Sequence, residues 1–347
     1  MKKMFFILTI IIVLGGSGYF AYKFFSKEEK PPKNIINNNN KEKEKEEPEE
    51  IKYIVDPNSN TRPFAIMINC HSESLPQAGL QNAYIVYELM VEAGITRMMA
   101  LFKDVELQKV GSIRSARTQY LGYVKENDAI YVHAGGAKDA LLAINTDKIT
   151  DIDVDGPYGI RDYSLKRATE HTLFTTTTLL QKYITNNNTK STTDTKNILT
   201  YSSKEIDLSK EDNHIDANNI DIKYSYYRTA SYKYDETNKY YLRYMNTNPN
   251  NDLVTGDQYH VKNIIVYGVK YTNYTYNKYS GYQKIDNIGS GEGYYITNGY
   301  AIPITWEKAS EASQTKYKIK ATGENLIVNN GNTYIQIYPM SGNLNIR

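Results

Sequence analysis

The sequence predicts a mixed α/β protein of the α+β class, in which a layered N-terminal α/β domain is followed by a β-rich C-terminal domain. Short apolar runs alternate with helical patterns between residues 64 and 145. Farther on, 18 of the 33 tyrosines lie between Tyr224 and Tyr300, in segments where side chains alternate as in strands. A chain of 347 residues also has the length of roughly two domains of about 150 residues each.

Residues 1–25 are predicted to be a transmembrane anchor or a signal segment. Met4 to Tyr22 carries no charge, and as a helix it would extend about 28 Å, close to the roughly 30 Å hydrocarbon core of a bilayer. A cleaved signal peptide is the alternative, because Phe5 to Leu14 is an apolar core and Gly16 to Gly18 supplies small residues for cleavage. We expect a single-pass anchor at the cell membrane, with secretion after cleavage as the second possibility.

The orientation of that segment follows from two opposing signals. Lysines on both sides of it would, by their count alone, leave the body of the protein in the cytoplasm. An apolar segment this close to a basic N-terminus acts as an export signal, and large domains are translocated with little regard to charge. We therefore predict an extracytoplasmic body. Residues 26–51, rich in Lys, Glu, Pro and Asn, are predicted to be a disordered charged tether.

Composition excludes several classes of function. The formal net charge is +2 and no local basic run is present, so nucleic acid is not an expected partner. The single cysteine, Cys70, forms no intrachain disulfide and no cysteine-based metal centre. No metal site is predicted, because no HExxH or comparable spacing occurs. No cofactor is predicted either.

The N-terminal domain, residues 52–184, is predicted element by element. Phe64–Asn69 has the composition of a buried strand, and a loop follows it. A helix is predicted from Asn82 to Gly94, with Glu88 and Glu92 four residues apart on one face. Residues 95–102 and 129–133 read as further strands, with helices over 116–126 and 137–145.

Polar residues collect where these strands end, and they are the candidate site. Guanidinium groups and the free N–H groups of helix-start turns suit a phosphate or a carboxylate, because they provide donors and positive potential. The alternative is a structural network in which Glu88 or Glu92 is held by arginines. A paired acid–base role for Glu88 and Glu92 is also possible, with His133 as a third member. The candidate ligand-binding residues are Asn69, Arg97, Arg114, Arg117, His133, Gly135, Gly136, Arg161, Arg167 and His171.

The C-terminal half is predicted to be antiparallel. Residues 185–219 form a polar linker, and the C-terminal domain covers 220–347. Alternation predicts strands at 223–228, 231–234 and 240–243, and Trp306 and residues 334–338 continue the pattern. Gly289 to Gly293 is predicted to be a bulge or tight loop, since no helix follows it. The tyrosines are expected to be half-buried strand residues, with stacking on sugars or peptides as the alternative.

Short motifs in a fixed order resemble the YerB-like family of bacterial lipoproteins, whose activity is unassigned. They cover nearly all of the chain beyond the tether. The resemblance implies an N-terminal α/β domain, a β-rich C-terminal domain and a location on the outer face of a Gram-positive-type membrane. Gly16 stands where the lipobox cysteine of relatives would be, so lipid attachment is not expected. The motifs are Arg62-Pro63, residues 67–69, 76–80, 83–88, 92–97, 111–117 and 133–136, Arg161, Arg167, His171, and residues 261–266, 289–293 and 305–308.

These observations predict a membrane-anchored extracytoplasmic protein that binds an anionic cell-envelope polymer or precursor through an Arg/His cluster. One alternative is an envelope hydrolase or phosphoryl-linked transferase using Glu88, Glu92 and His133. Another is a protein-interaction scaffold using the Tyr-rich sheet. Whether the protein is an enzyme is left open by the sequence.

Overall fold

The protein is described by a computed structural model, which covers residues 52–347. The predicted anchor and tether, residues 1–25 and 26–51, lie outside the described residues. Within the described range, none of the helices combines the length and the apolar character needed to cross a membrane. The helices are α1 (Thr118–Glu126), α2 (Lys138–Thr146) and α3 (Thr177–Asn186).

Eight strands come from the first part of the chain, and short 3₁₀ turns connect several of them. The strands are β1 (Phe64–Asn69), β2 (Ile85–Met90), β3 (Thr96–Phe102), β4 (Val110–Gly111), β5 (Ile130–His133), β6 (Asp151–Asp153), β7 (Ile160–Arg161) and β8 (Leu173–Thr175). The 3₁₀ turns are Ser72–Ser74, Leu80–Asn82, Glu92–Gly94, Tyr163–Leu165 and Thr169–His171, with a later one at Leu208–Lys210.

The remaining strands confirm the β-rich second half. They are β9 (Thr200–Tyr201), β10 (Ile215–Asp216), β11 (Asn219–Lys223), β12 (Thr229–Asp235), β13 (Tyr240–Met245), β14 (Asn248–Pro249), β15 (His260–Val261), β16 (Asn263–Val269), β17 (Tyr271–Tyr276), β18 (Tyr279–Ile285), β19 (Gly289–Thr297), β20 (Tyr300–Lys308), β21 (Lys316–Ile319), β22 (Ile327–Val328), β23 (Thr333–Pro339) and β24 (Asn343–Ile346).

One mixed sheet, the main sheet, runs through both halves of the chain. Its order is β10-β20-β19-β16-β23-β2-β3-β1-β5-β6, with β21 beside β20. The halves meet where β2 pairs in parallel with β23, so that Glu88 lies opposite Gln336. The smaller second sheet has the order β14-β13-β12-β11-β24, with β15 beside β13. The mixed α/β first half and the β-rich second half are thus as predicted, although they share one sheet.

Two apolar layers cover the faces of the main sheet, which explains why its strands read as continuous apolar runs. Along β1, Ala65 and Met67 face the layer that contains α1, whereas Ile66 and Ile68 face the layer beneath the second sheet. Most of the tyrosines between Tyr224 and Tyr300 lie in these layers or pack against them. Tyr224, Tyr232, Tyr241, Tyr259, Tyr267 and Tyr295 are all buried.

The helix predicted from Asn82 to Gly94 is wrong. Residues 85–90 form β2, and Glu92–Gly94 is a 3₁₀ turn, so Glu88 and Glu92 do not share a helix face. Because β2 is covered on both faces, its apolar residues show no alternation, and a short run of this kind does not distinguish a strand from a helix. The strands at 64–69, 95–102 and 129–133 and the helices near 116–126 and 137–145 are confirmed within a residue or two.

Three details of the second half also differ from the prediction. Residues 224–228 form the turn between β11 and β12 rather than a strand. Gly289–Gly293 is the first half of β19, not a loop. The Trp306 indole packs directly on Gly291, where the Cβ of any other residue would lie 2.7 Å from the indole nitrogen. Residues 185–219 contribute β9 and β10, and β10 joins the main sheet beside β20. The predicted domain boundaries stay predictions.

Candidate functional site

A cluster of imidazole, guanidinium and carboxylate groups lies just beyond the C-terminal end of β1. Asn69 is the last residue of that strand, His71 caps the 3₁₀ turn Ser72–Ser74 that follows it, and Glu73 lies within that turn. Arg114 comes from the loop after β4, and Glu170 and His171 belong to the 3₁₀ turn Thr169–His171. The His–Arg site is defined by Asn69, His71, Glu73, Arg114, Glu170 and His171.

Backbone hydrogen bonds hold the Arg114 loop between the ends of β1 and β5. The Arg114 N–H donates to the Met67 carbonyl at 3.0 Å, and the Ala134 N–H donates to the Arg114 carbonyl at 3.2 Å. The Asn69 N–H donates to the Ser112 carbonyl at 2.9 Å. The position of Arg114 beside Asn69 is therefore fixed by the sheet and not by its own side chain.

Asn69 fixes the tautomer of His171. Its Oδ1 accepts from the His71 backbone N–H at 3.0 Å, so its Nδ2 is the atom that lies 2.8 Å from His171 Nδ1. An amide nitrogen only donates, and His171 Nδ1 must therefore accept. The proton of a neutral His171 is then on Nε2, which lies 3.6 Å from the Glu73 carboxylate.

The neutral His71 ring has the same tautomer as His171. Its Nδ1 accepts from the Glu73 N–H at 3.3 Å, which leaves the proton of the neutral ring on Nε2. The His71 and His171 rings are stacked, with centroids 5.0 Å apart and planes 12° apart. Two imidazole N–H donors are thus held side by side.

Arg114 supplies charge next to the two rings. Its guanidinium is half-buried and donates to the Glu170 carbonyl at 3.2 Å, and it forms no ion pair with a carboxylate of residues 52–347. Burial lowers the pKa of Arg114; the negative charge of Glu170 opposes this effect and the like charge of Arg117 adds to it. Burial also lowers the pKa of His171, as do the charges of Arg114 and His71. His171 is therefore neutral at neutral pH.

Two of the predicted arginines brace the turns that carry this site. Arg161 donates to the Thr169 carbonyl at 2.6 Å and pairs with Asp155 at 2.6 Å. Arg167 donates to the Ser74 and Leu75 carbonyls at 2.7 Å and 2.8 Å. Both guanidinium groups are thus engaged by the protein itself, and their contacts position His171 and the His71 turn.

A structural ion-pair network, the predicted alternative to an anion-binding site, is formed by Arg97, Arg117 and Glu92. Arg117 pairs with Glu92 at 2.6 Å, and Arg97 donates to the Ser115 carbonyl at 2.6 Å. Burial, together with the nearby charge of Arg117, lowers the pKa of Arg97 to about 10. These two arginines add positive potential beside Arg114, and each donates to groups of the protein itself.

His133 and its glycine turn are also satisfied internally. Its ring nitrogens lie 2.9 Å from the Gly135 carbonyl and 3.0 Å from Asp151 Oδ2. The Gly135 N–H donates to the Asp153 carboxylate at 3.1 Å, so a side chain of the protein occupies the anion position that the turn offers. Gly136 packs so closely on Leu141 that a Cβ there would lie 2.7 Å from it.

Glu88 is remote from solvent. Its carboxylate accepts from Thr96 Oγ1 at 2.7 Å and pairs with Arg243 at 2.8 Å, and both charged side chains are fully buried. The acid–base candidates Glu88, Glu92 and His133 consequently lie in three separate structural pairs and do not converge on one point.

A metal ion fits the His–Arg site less well than an anion does. Ligand atoms of His71, Glu73 and His171 lie within 4.8 Å of one another, which is a spacing that a metal could bridge. Metal-bound imidazoles usually donate their second ring N–H to an acceptor, whereas His171 Nδ1 accepts from Asn69. The arrangement presents N–H donors where a metal would need lone pairs.

Sequence reasoning identified Asn69, Arg114 and His171 but missed His71 and Glu73. A signal was available, because both lie within four residues of the end of a predicted buried strand. A separate cleft of about 670 Å³ between α1 and β18 contains none of the predicted site residues.

Comparison with known proteins agrees with this fold. Residues 53–190 match the model of the N-terminal domain of DUF3048, a protein of unknown function, and residues 220–335 match that of its C-terminal domain. The chain is 28% identical over 256 residues to "Putative lipoprotein YerB" of Bacillus subtilis (strain 168). The aligned region covers 72% of this chain and 74% of the relative.

The crystal structure of the YerB protein from Bacillus subtilis superposes with a TM-score of 0.70 at 24% identity. The match covers 82% of this chain and 94% of the solved chain, and it shows a common fold. With both domain models matched in order, the chain belongs to the DUF3048 family of proteins of unknown function.

Proposed function

We propose that this protein binds an anionic group of a cell-envelope polymer or its precursor at the His–Arg site. The observation that carries the proposal is the orientation of His71 and His171, which both present an Nε2–H donor beside the guanidinium of Arg114, for which residues 52–347 provide no ion pair. Donors held in place before the ligand arrives bind with less entropic cost than donors that must be ordered.

The chemistry of these donors selects the ligand. Guanidinium and imidazole N–H groups suit the oxygens of a phosphate or a carboxylate. The carboxylate of Glu73, 3.6 Å from His171 Nε2, shows that an anionic oxygen can approach this face of the ring. Glu73 is largely exposed, so a ligand with a higher charge could displace it.

The cellular location narrows the ligand class. The Bacillus subtilis relative carries the name of a lipoprotein, and residues 1–25 of this chain have the composition of a membrane anchor. These two observations support a protein attached to the cell membrane with its body in the envelope. Teichoic acids and lipid-linked precursors are the abundant phosphate-bearing molecules there.

Envelope hydrolysis or transfer has less support. A general acid or base must reach the proton that it moves, and Glu88 is fully buried in a pair with Arg243. Glu92 is paired with Arg117, and His133 with Asp151. We therefore favour binding without catalysis.

The test is co-sedimentation of the full-length chain with isolated wall material, before and after removal of its phosphate polymers. Arg114→Gln should weaken binding about 10- to 100-fold, because hydrogen bonds to charged groups contribute about 1.5–3 kcal/mol. Arg347→Gln is the matched control, since Arg347 pairs with Asp221 on an exposed surface. Equal binding by all three proteins, or by stripped and intact walls, would contradict the proposal.

An interaction surface on the second sheet is a second candidate. Tyr226 and Tyr227 are 87% and 67% exposed at the turn between β11 and β12, which is unusual for large aromatic side chains. Replacing both with serine should abolish partner capture if this surface is the scaffold, and should leave wall binding unchanged.

A further inference from the structure

A second group of arginines lies between the main sheet and the second sheet. Glu88 projects from β2, and Tyr232 and Arg243 are cross-strand neighbours on β12 and β13. Tyr334 projects from β23, while Arg228 enters from the turn before β12 and Cys70 from the end of β1. Each of them is at most 4% exposed. The inter-sheet arginine cluster is defined by Cys70, Glu88, Arg228, Tyr232, Arg243 and Tyr334.

The cluster contains more positive than negative charge. Arg243 pairs with Glu88 at 2.8 Å, but Arg228 donates only to the Cys70 carbonyl, at 2.6 Å, and has no carboxylate partner among residues 52–347. Cys70 offers no compensating thiolate, because burial raises its pKa to about 12. One guanidinium charge is thus buried without a counterion from the described part of the chain, and this is costly in a protein interior.

The unused hydrogen-bonding groups in this cluster are donors. Arg228 Nε and Arg243 Nε have no partner among the described residues, nor do the hydroxyls of Tyr232 and Tyr334. The Tyr334 ring centroid lies 6.0 Å from the Arg243 guanidinium carbon and 6.4 Å from the Tyr232 ring centroid. Arg228 belongs to the same neighbourhood, because the charges of Glu88 and Arg243 act on its guanidinium. A guanidinium N–H only donates, and each hydroxyl can donate as well.

Gln336 adds a further buried donor beside this set. The Tyr224 hydroxyl lies 3.1 Å from the Glu88 carbonyl and 3.1 Å from Gln336 Oε1, and both of these oxygens accept. Gln336 Nε2 has no partner among the described residues.

We propose that the inter-sheet arginine cluster binds one small monovalent inorganic anion of chloride size, held by Arg228 Nε and Arg243 Nε with the Tyr232 and Tyr334 hydroxyls as further donors. A water molecule would accept from two of these donors and would leave the charge of Arg228 uncompensated. A monatomic anion within reach of these four donors would accept from them and would balance the charge of Arg228. This site is separate from the His–Arg site and does not depend on the proposed function.

Thermal unfolding of the full-length chain provides the first test. An anion that binds only the folded state raises Tm with its concentration. At constant ionic strength, we expect Tm to rise by about 2 °C for each tenfold increase in chloride above its dissociation constant. The replacement anion is isethionate, which is too large for a monatomic site. An unchanged Tm across this exchange would overturn the proposal.

Crystals of the full-length chain soaked in bromide locate the anion directly. An anomalous peak within hydrogen-bond distance of Arg228 Nε and Arg243 Nε is expected, and ordinary water density there would overturn the proposal. Arg228→Met should abolish both the peak and the chloride-dependent rise in Tm, whereas Arg347→Met should change neither. If Arg228→Met does not fold, Tyr334→Phe is the second variant, because it removes one donor without a cavity and should weaken chloride binding several-fold.

Discussion

The His–Arg site and the Glu88–Arg243 pair of the inter-sheet arginine cluster use charged side chains for different purposes. In that pair, the charges of Glu88 and Arg243 neutralise each other across strands from the two halves of the chain, and both side chains are fully buried. In the His–Arg site, Arg114 is half-buried, contacts a carbonyl rather than a carboxylate, and lies beside two oriented imidazoles. Pairing and access to solvent, not residue type, thus distinguish the structural Arg243 from Arg114, which an external polymer can reach.

The largest expected effect tests the structural side of this comparison. Glu88→Gln leaves Arg243 buried without its partner and should destabilise the fold by about 3–5 kcal/mol, measured by urea unfolding. The exposed pair of Arg347 and Asp221 provides the control, because Arg347→Gln should cost less than about 1 kcal/mol. Similar decreases in the free energy of unfolding for the two variants would show that the Glu88–Arg243 pair stabilises the fold no more than a surface ion pair does.

Arg167→Met tests whether the His–Arg site depends on its bracing. This change removes charge-assisted hydrogen bonds to the Ser74 and Leu75 carbonyls and should cost about 1.5–3 kcal/mol of local stability. Faster amide exchange confined to residues 71–76, together with weaker sulfate binding, is the expected result. Exchange that accelerates uniformly over residues 52–347 would mean that Arg167 supports the whole fold instead.

Binding of sulfate should strengthen as the pH falls from 7.5 to 5.5. Burial and the charges of Arg114 and His71 hold the pKa of His171 below its usual range, so the ring is neutral at pH 7.5 and its protonated fraction grows as the pH falls. A bound anion favours the protonated ring, and by linkage the affinity should rise about tenfold at most. Sulfate is the probe because its own charge is constant here. Calorimetry showing equal affinities at both pH values would exclude His171 from the site.

The smallest expected effect concerns Glu73. Its carboxylate lies 3.6 Å from His171 Nε2 and repels a bound anion, so Glu73→Gln should raise the sulfate affinity by a factor of about two to five. Glu324→Gln is a suitable control, because Glu324 is exposed and far along the chain. Weaker sulfate binding by Glu73→Gln would instead indicate a cation at this position.

Much of the first half could be predicted because its strands and helices have local signals. The strand at 64–69 was recognised, and the helices predicted at 116–126 and 137–145 are found at 118–126 and 138–146. The strand at 85–90 was not, since burial on both faces removes the alternation that identifies a strand. Its parallel pairing with residues 333–337 joins distant parts of the chain, and no local pattern indicates such a contact.

The same limit applies to the two groups of arginines. Asn69 and Arg114 were found because Asn69 ends a predicted strand and Arg114 lies just before a predicted helix, whereas His171 lies outside the predicted elements and is one of the motif residues shared with the YerB-like family. The pairing of Arg243 with Glu88 was not predicted, because the two residues are 155 positions apart and no sequence pattern near either of them indicates the contact. The distinction between the paired and the unpaired arginines therefore required the structure.

The most direct test of the His–Arg site is an NMR titration of the imidazole rings in the full-length chain with inorganic phosphate. The chain has five histidines, and the other three, His133, His214 and His260, serve as internal controls. The account predicts that the Nε2 resonances of His71 and His171 shift together along one saturating curve, and that Arg114→Gln abolishes this shift. Unchanged His71 and His171 resonances, or equal shifts at all five rings, would contradict it.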